Sequence, residues 1–391
     1  MILSDDLMNL SVIGVGDAGC KAVDSISKDN IDGIKCMYIN TNKNSLKDYD
    51  ENYSILLNDD NGNNLGNSGD PIVGKTAALS SLDLIKSKLK DTKSLILTAG
   101  FGGGTGTGAL PIIAKAAKEM GILTIAIVTT PFSYEGIAKD LNAKIGLEDL
   151  NKNADVIIRI SNNRIINNYP DIILSDVFKL INKVLKNSIN YFINLFSNNS
   201  INVSKSDLIN SLKNKGESYI GFGSGVGKNK IARAINEVVN SKIIETQFNK
   251  STNAVMMIVG DPTITLNQIN SIVDEIKLRS KNNNLNVIFS FKTDDSLVNE
   301  IRISLISTFL SKHDSEIKSE NEKILQESQE LLLEIGNTLD NEMNGYITGE
   351  LDLSLFSNEK INNQIDDKDQ DDSIIISDEN KDDDDIPFFL K

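Results

Sequence analysis

The residues best suited to chemistry in this chain stand together in Thr98-Ala99-Gly100-Phe101-Gly102-Gly103-Gly104-Thr105-Gly106-Thr107-Gly108. An apolar run, residues 95–97, precedes them, and Ala109-Leu110-Pro111-Ile112-Ile113-Ala114-Lys115-Ala116-Ala117 follows with helical spacing. That order reads as strand, glycine turn, helix. Glycine admits positive φ and lets backbone N–H groups come close to an anion. The start of the following helix adds its partial positive charge, and the hydroxyls of Thr105 and Thr107 are further donors. The chemistry implied is a phosphate cradle. The alternative is a glycine turn with no ligand, against which the backbone entropy of surplus glycine counts.

Two other strings match nucleotide motifs. Gly14-Val15-Gly16-Asp17-Ala18-Gly19 fits the dinucleotide pattern between a strand and a helix. An NAD site also wants an acid at the end of the second strand to hold the ribose. Asn40-Thr41-Asn42 stands there instead, so a phosphate-contacting turn is expected rather than an NAD site. Gly69-Asp70-Pro71-Ile72-Val73-Gly74-Lys75-Thr76 matches the Walker A string. A true P-loop springs from a buried strand. Asn58-Asp59-Asp60-Asn61-Gly62-Asn63-Asn64 cannot be one, so the match is read as coincidental. Gly69, Asp70 and the helix start after Gly74 remain candidates to approach a nucleotide.

The elements that must position these turns form two sets. Strand-like runs at residues 11–16, 36–40, 95–97, 122–128 and 156–160 alternate with helical segments. This predicts a parallel sheet covered by helices on both faces. Residues 176–196 are apolar at helical spacing and predict a long core helix between two domains. From 219 to 309 the strand-like runs 254–259, 286–291 and 301–307 surround a helix near 266–279, predicting a smaller α+β domain. Residues 321–339 carry Leu and Ile at helical spacing. Beyond Asn358 the chain is too polar to offset its ordering entropy, so disorder is expected.

Composition narrows the function. At 391 residues, 40 % hydrophobic and 24 % charged, the chain fits a soluble protein with two cores. No apolar run reaches the ~18 residues of a membrane span. The first residues lack the pattern of a signal peptide. Cys20 and Cys36 provide neither a disulfide framework nor a zinc pattern, and His313 as the single histidine argues against a histidine-based metal site or triad. A cytoplasmic protein is expected. The net charge of −15 argues against sequence-independent nucleic-acid binding. Residues 366–391 alone hold eleven acids and three lysines, so the acidity belongs mostly to a tail. That tail closes on Asp385-Ile386-Pro387-Phe388-Phe389-Leu390-Lys391, an apolar cluster on a solvated tether that reads as a docking peptide.

In order along the chain, the Gly14–Gly19 turn, the Gly102–Gly108 loop and Thr130-Pro131-Phe132-Ser133-Tyr134-Glu135-Gly136 resemble the tubulin/FtsZ superfamily. Ile201-Asn202-Val203-Ser204-Lys205-Ser206-Asp207-Leu208, then Gly223-Ser224-Gly225, and the terminal peptide narrow the resemblance to FtsZ proteins. The resemblance covers roughly residues 10–310 and the last seven. It implies a Rossmann-like GTP-binding domain (8–175), a core helix (176–200), an activation domain (201–311), a linker (312–384) and an adaptor-docking peptide (385–391). It implies GTP and GDP as ligands, with Mg2+, and head-to-tail filaments at midcell beneath the membrane, with no insertion into it. Gly102, Gly103, Gly104, Thr105, Gly106 and Thr107 would hold the α- and β-phosphates, aided by Gly16, Asp17, Ala18, Gly19, Cys20 and Lys21. Gly69 and Asp70 would sense the γ-phosphate, Glu135 and Lys139 would contact the ribose, and Asn162, Phe178 and Asn182 the guanine.

The departures from the pattern bear on activity. Asp17 beside phosphates repels them unless it points away or helps hold Mg2+, and Lys21 is placed to offset it. Lys139 stands for the usual arginine and loses its bidentate geometry. Lys183 stands for the acid after the base-contacting asparagine and cannot accept from guanine N1–H. In the catalytic loop Asn202 and Asp207 persist, but Ser204 replaces the first of two carboxylates, which predicts slow turnover. Ser204 and Asp207 also fit a helix capping box. Two functions remain open: an assembling GTPase of the division ring, and a related structural protein that binds nucleotide and hydrolyses little.

Overall fold

The computed structural model describes residues 9–309, apart from 30, 32, 58–68, 170, 197–203, 250 and 283. The tail, its expected helix and the terminal peptide lie outside the described residues. Strand β1 (Leu10–Val15) is buried along its whole length, as a central parallel strand must be. It leads straight into α1 (Gly16–Ser27) and back to β2 (Lys35–Asn40). A short β3 (Ser54–Leu56) pairs with the end of β2. Helices α2 (Pro71–Ser80) and α3 (Leu82–Leu89) precede β4 (Ser94–Gly100), the glycine loop and α4 (Gly104–Glu119). Then come β5 (Leu123–Thr130), α5 (Ile137–Asn151), β6 (Val156–Ser161), α6 (Asn162–Asn168) and the long α7 (Leu174–Phe196). The second half comprises α8 (Lys205–Leu212), β7 (Gly216–Val226), α9 (Lys230–Val239), β8 (Asn253–Gly260), α10 (Leu266–Ser280), β9 (Asn286–Thr293) and β10 (Glu300–Thr308).

All ten strands share one sheet, in the order β3-β2-β1-β4-β5-β6-β7-β10-β8-β9. From β3 to β7 every pairing is parallel. β10 then runs antiparallel between β7 and β8, and β8 and β9 are parallel across α10. Strand alternation sorts the side chains onto two faces. Ile13, Val15, Leu95, Leu97, Ala126 and Val128 meet the small residues of α2 to α5, such as Ala77, Ala109, Ala114 and Ala143. Val12, Ile96, Ile125, Ile127 and Ile158 face α1 and α7.

The second core does not stop at the end of the parallel strands. It continues through Ile189, Phe192 and Phe196 of α7 into Ile220, Val255 and Ile303 of the second half. The buried Tyr191 hydroxyl donates to the Val255 carbonyl at 2.8 Å. Thus the two expected halves share one sheet and one core. The seam is fastened by Asp155, which is buried. Its carboxylate accepts from the N–H of Thr124 at 2.9 Å and of Asn214 at 3.0 Å. Its carbonyl accepts from Lys215 at 2.7 Å and Gly216 at 2.8 Å.

A second glycine-rich region lies in β7. Cβ atoms at Gly221, Gly223 and Gly225 would fall well inside contact distance of the carbonyl oxygens of Val238, Ala234 and Lys230. Two strand residues rise by ~6.7 Å and four helix residues by ~6 Å, so alternate glycines meet successive turns of α9. Lys230 and Asp261, both buried, form an ion pair that fixes the first turn of α9, and Thr263 also donates to Asp261.

Candidate functional site

The strand order reverses between β1 and β4, and in open α/β sheets that switch point opens a crevice at the carboxyl ends of the strands. Helices α1 and α4 leave from there. Gly16 opens α1 with φ +72°, and a Cβ on it would lie 3.4 Å from the nitrogen of Gly106 and 3.5 Å from Cβ of Thr105. The first turns of the two helices therefore meet. Neither has a side-chain N-cap, so their leading N–H groups converge without an internal partner from a cap. Gly102 has φ +105°, and its N–H donates to Thr107 Oγ1 at 2.9 Å, which folds the loop onto α4. A Cβ on Gly103 would meet nothing within 4 Å. The open side of the cradle is at Gly103.

Gly106 is different. A Cβ there would sit 2.5 Å from the carbonyl oxygen of Gly100, so this glycine is required by the packing of α4 on its own strand. Gly19 likewise abuts the Thr98 carbonyl, and Ala18 lies under Gly100. Cys20 corrects an expectation as far as its side chain is concerned. It falls on the buried face of α1, its thiol donates to the Gly14 carbonyl at 3.4 Å, and burial pushes the thiol up to about 12. Only its backbone can face a ligand. Asp17 and Lys21 are exposed. They form no ion pair with each other among the described residues; instead Asn40 Nδ2 donates to Asp17 Oδ1 at 2.7 Å. Next to it, Thr41 and Thr105 join their hydroxyls at 2.8 Å, tying the end of β2 to the first turn of α4.

The Walker-like string is no P-loop. Asp70 caps α2 by accepting from the N–H of Ile72 at 2.8 Å, Gly74 lies inside that helix, and Lys75 pairs with Asp149 at 3.3 Å. Gly69, with φ +85°, and Asp70 are exposed at the helix start.

On the other flank, Glu135 and Lys139 are brought together at 2.8 Å, and Glu135 also accepts from the N–H of Phe132 at 2.9 Å. The loop is tied to α6 by Ser133 N–H donating to Asn163 Oδ1 at 2.7 Å. Beside it, Asn162 is buried, and its Oδ1 has no hydrogen-bond partner among the described residues. A buried acceptor left without a donor is a costly arrangement unless a ligand completes it. Phe178, half exposed, stands edge-on to Phe132 with ring centroids 6.0 Å apart. Asn182 follows one turn later on α7 and is exposed. Lys183 is half-buried, and burial pulls its ammonium below the usual lysine range.

Comparison with known proteins accounts for both halves of the chain. Residues 9–170 match the model of the Tubulin/FtsZ family, GTPase domain, and residues 216–311 that of the FtsZ family, C-terminal domain. A cell division protein FtsZ from Mycoplasmopsis pulmonis is 35 % identical over 98 % of this chain and 96 % of its own length. The chain belongs to the FtsZ family. A mitochondrial division protein, fszB of Dictyostelium discoideum, is 35 % identical over 76 % of the chain and 82 % of its own length. An empty FtsZ dimer from M. jannaschii superposes with a TM-score of 0.71 at 30 % identity, covering 78 % of this chain and 88 % of that one.

In this FtsZ-family chain the loop before α8 is only partly described. Asn202 lies outside the described residues. Ser204 and Asp207 are exposed at the start of α8. Ser204 is the N-cap residue by backbone, with its carbonyl accepting from Leu208 at 3.0 Å, but its hydroxyl makes no cap hydrogen bond. The capping box read from the sequence does not form. The box uses Glu or Gln at the third position, and Asp207 is one methylene shorter. The box at α10 does form, with Thr265 and Gln268 exchanging bonds at 3.3 and 3.0 Å. Asp207 is left facing solvent rather than spent on its own helix.

Proposed function

We propose that this chain is a GTPase that assembles head to tail into filaments of the division machinery, hydrolysing GTP where two subunits meet. The observation that carries the reading is the convergence of two uncapped helix N-termini over the open side of Gly103 at the strand switch. Its electrostatics favour phosphates. The base would lie between Phe178 and the amides of Asn162 and Asn182, giving the bare Asn162 oxygen a donor. Lys183 on the same helix carries donors only, so it adds no reading of the guanine N1–H. Glu135 and Lys139 would part to take the ribose hydroxyls. Gly69 and Asp70 stand toward the γ-phosphate. Among the described residues no cluster of three metal-ligating side chains occurs, so Mg2+ would be held mainly by phosphate oxygens and water, as is usual for that ion. When bound it neutralises charge on the phosphates.

Asp207, free of its own helix, would orient the attacking water on the nucleotide of the next subunit, with Asn202 beside it. Ser204 has no charge with which to assist, which supports slow turnover and keeps the second reading, a nucleotide-binding filament with little hydrolysis, as the alternative. The terminal residues Asp385, Ile386, Pro387, Phe388, Phe389, Leu390 and Lys391 would dock a membrane-linked adaptor, placing the filament at the division site. Light scattering with GTP, GDP and ATP, read alongside phosphate release, tests the assignment. Assembly with GTP alone and slow phosphate release are expected. Asp207→Ala should abolish release while monomers still bind GTP, and Ser204→Asp should raise it by up to about 10²-fold. Full hydrolysis by Asp207→Ala would remove the shared-site reading. Deleting residues 385–391 should spare assembly and remove adaptor recruitment; failure to assemble would assign the tail to the polymer.

A further inference from the structure

We propose that Asp17 makes nucleotide binding by this chain conditional on a divalent cation, by placing a fixed carboxylate inside the phosphate cradle. The proposal rests on the nucleotide-site reading above and concerns a residue at which the cradle contradicts itself. Everything else at the switch point attracts anions: two helix N-termini, glycine amides and threonine hydroxyls. Asp17 sits in the first turn of α1, one residue after the glycine that touches α4.

Its position is set by the end of β2. The Asn40 side chain is buried, and its Oδ1 accepts from the N–H of Asn42 at 3.2 Å. That bond fixes which way the amide points and leaves Nδ2 as the donor to Asp17 Oδ1 at 2.7 Å. The next residue, Thr41, bonds to Thr105 in the first turn of α4. Consecutive residues at the end of β2 therefore hold the Asp17 carboxylate and the α4 hydroxyl, which ties Asp17 to the side of the switch point where α4 begins. Its second carboxylate oxygen has no partner among the described residues, and Lys21, one turn along, does not neutralise it.

A phosphate entering this space meets a unit negative charge that cannot retreat without breaking the Asn40 bond. Without a cation the carboxylate opposes binding. A divalent ion between it and the phosphate oxygens reverses the sign, and one carboxylate with phosphate oxygens and water is an ordinary Mg2+ environment. Nucleotide retention then follows free Mg2+.

The test measures calorimetric affinity of the full chain for GDP and for a non-hydrolysable GTP analogue, in excess Mg2+ and in excess EDTA. Wild type should lose at least about tenfold on chelation, the size expected of one partly solvated charge pair. Asp17→Asn keeps the acceptor for Asn40; it should lose less than about threefold on chelation and, in EDTA, bind more tightly than wild type. Electron paramagnetic resonance of Mn2+ should register a weaker ternary complex in the variant. Equal wild-type affinity with and without Mg2+ overturns the proposal. So does an Asp17→Asn defect of the same size in both buffers, which would mark a ribose contact instead. Asp17→Ser serves if the Asn variant is unstable. Wild type binding neither nucleotide in either buffer would instead overturn the nucleotide site itself.

Discussion

The chain has two glycine-rich regions, and they use the missing side chain in opposite ways. In β7, Gly221, Gly223 and Gly225 have their absent Cβ positions filled by the carbonyls of α9. The helix lies directly on the strand, with no side chains between. In the glycine run that leads into and opens α4 the glycines divide. Gly106 and Gly108 are filled by protein backbone like those of β7, whereas Gly103 borders open space. Glycine density alone thus means close approach of something, and only the surroundings say whether that something is a helix or a ligand.

The comparison breaks most easily in β7. Gly223→Val must drive α9 off the strand, and overpacking of this kind costs about 3 kcal/mol or more, a large share of a protein's net stability. Urea unfolding should show a large fall in midpoint or no folded baseline. A near-wild-type midpoint would mean that α9 is not seated as described.

A smaller effect is expected where the same helix is pinned. Lys230→Met leaves the Asp261 carboxylate buried without its cation, a loss of about 3 kcal/mol. The pH dependence has a definite sign. Asp261 is held down from 3.8 to about 2, first by the Lys230 ammonium and then by Thr263. A depressed carboxylate contributes stability that is complete above its unfolded value and fades as pH falls through its folded one. Wild type should lose that part between about pH 4 and pH 2. The Met variant, with no ammonium to hold the carboxylate down, should lack most of that loss between pH 4 and pH 2, and acid-unfolding curves that fall in parallel with wild type would count against the pair.

The mildest change in stability belongs to the open glycine. Gly103→Ala has an allowed φ of −87° and no neighbour to strike. Its unfolding free energy should stay within about 0.5 kcal/mol of wild type, while GTP affinity drops by about tenfold as the methyl group enters the phosphate space. Gly106→Ser should lose binding and stability together, because its side chain collides with the Gly100 carbonyl. If Gly103→Ala binds GTP normally, the open side of the loop is not where phosphate sits.

These contrasts also mark what the sequence could tell. The strands leading to the Gly14 and Gly102 turns are mostly apolar, and α7 has long helical spacing, so their places were legible. The three-residue β3 was not, since Ser54-Ile55-Leu56 is too short to carry a period. Helix α9 has apolar spacing at Ile231, Ala234, Ile235 and Val238, but the glycines before it disguise the strand that receives it. The run at β10 was readable as a strand, yet its insertion between β7 and β8 depends on long-range pairing that no local pattern encodes. At the site, residue types suggested the cradle, while the inward turn of Cys20, the failed box at Ser204 and the tether from Asn40 to Asp17 depend on three-dimensional neighbours. The bare oxygen of Asn162 had no local signal at all.

The four amides collected by Asp155 have a consequence for how the molecule breathes. Thr124 begins its bond from the β5 side, while Asn214, Lys215 and Gly216 lead into β7, about ninety residues later along the chain. Because one buried residue satisfies all of them, none can be released to solvent by fraying of a single strand. Hydrogen exchange at these positions should proceed as one cooperative opening, slow and shared, rather than as a gradient of protection from one half to the other. The seam between the two halves is in this respect among the last places to come apart.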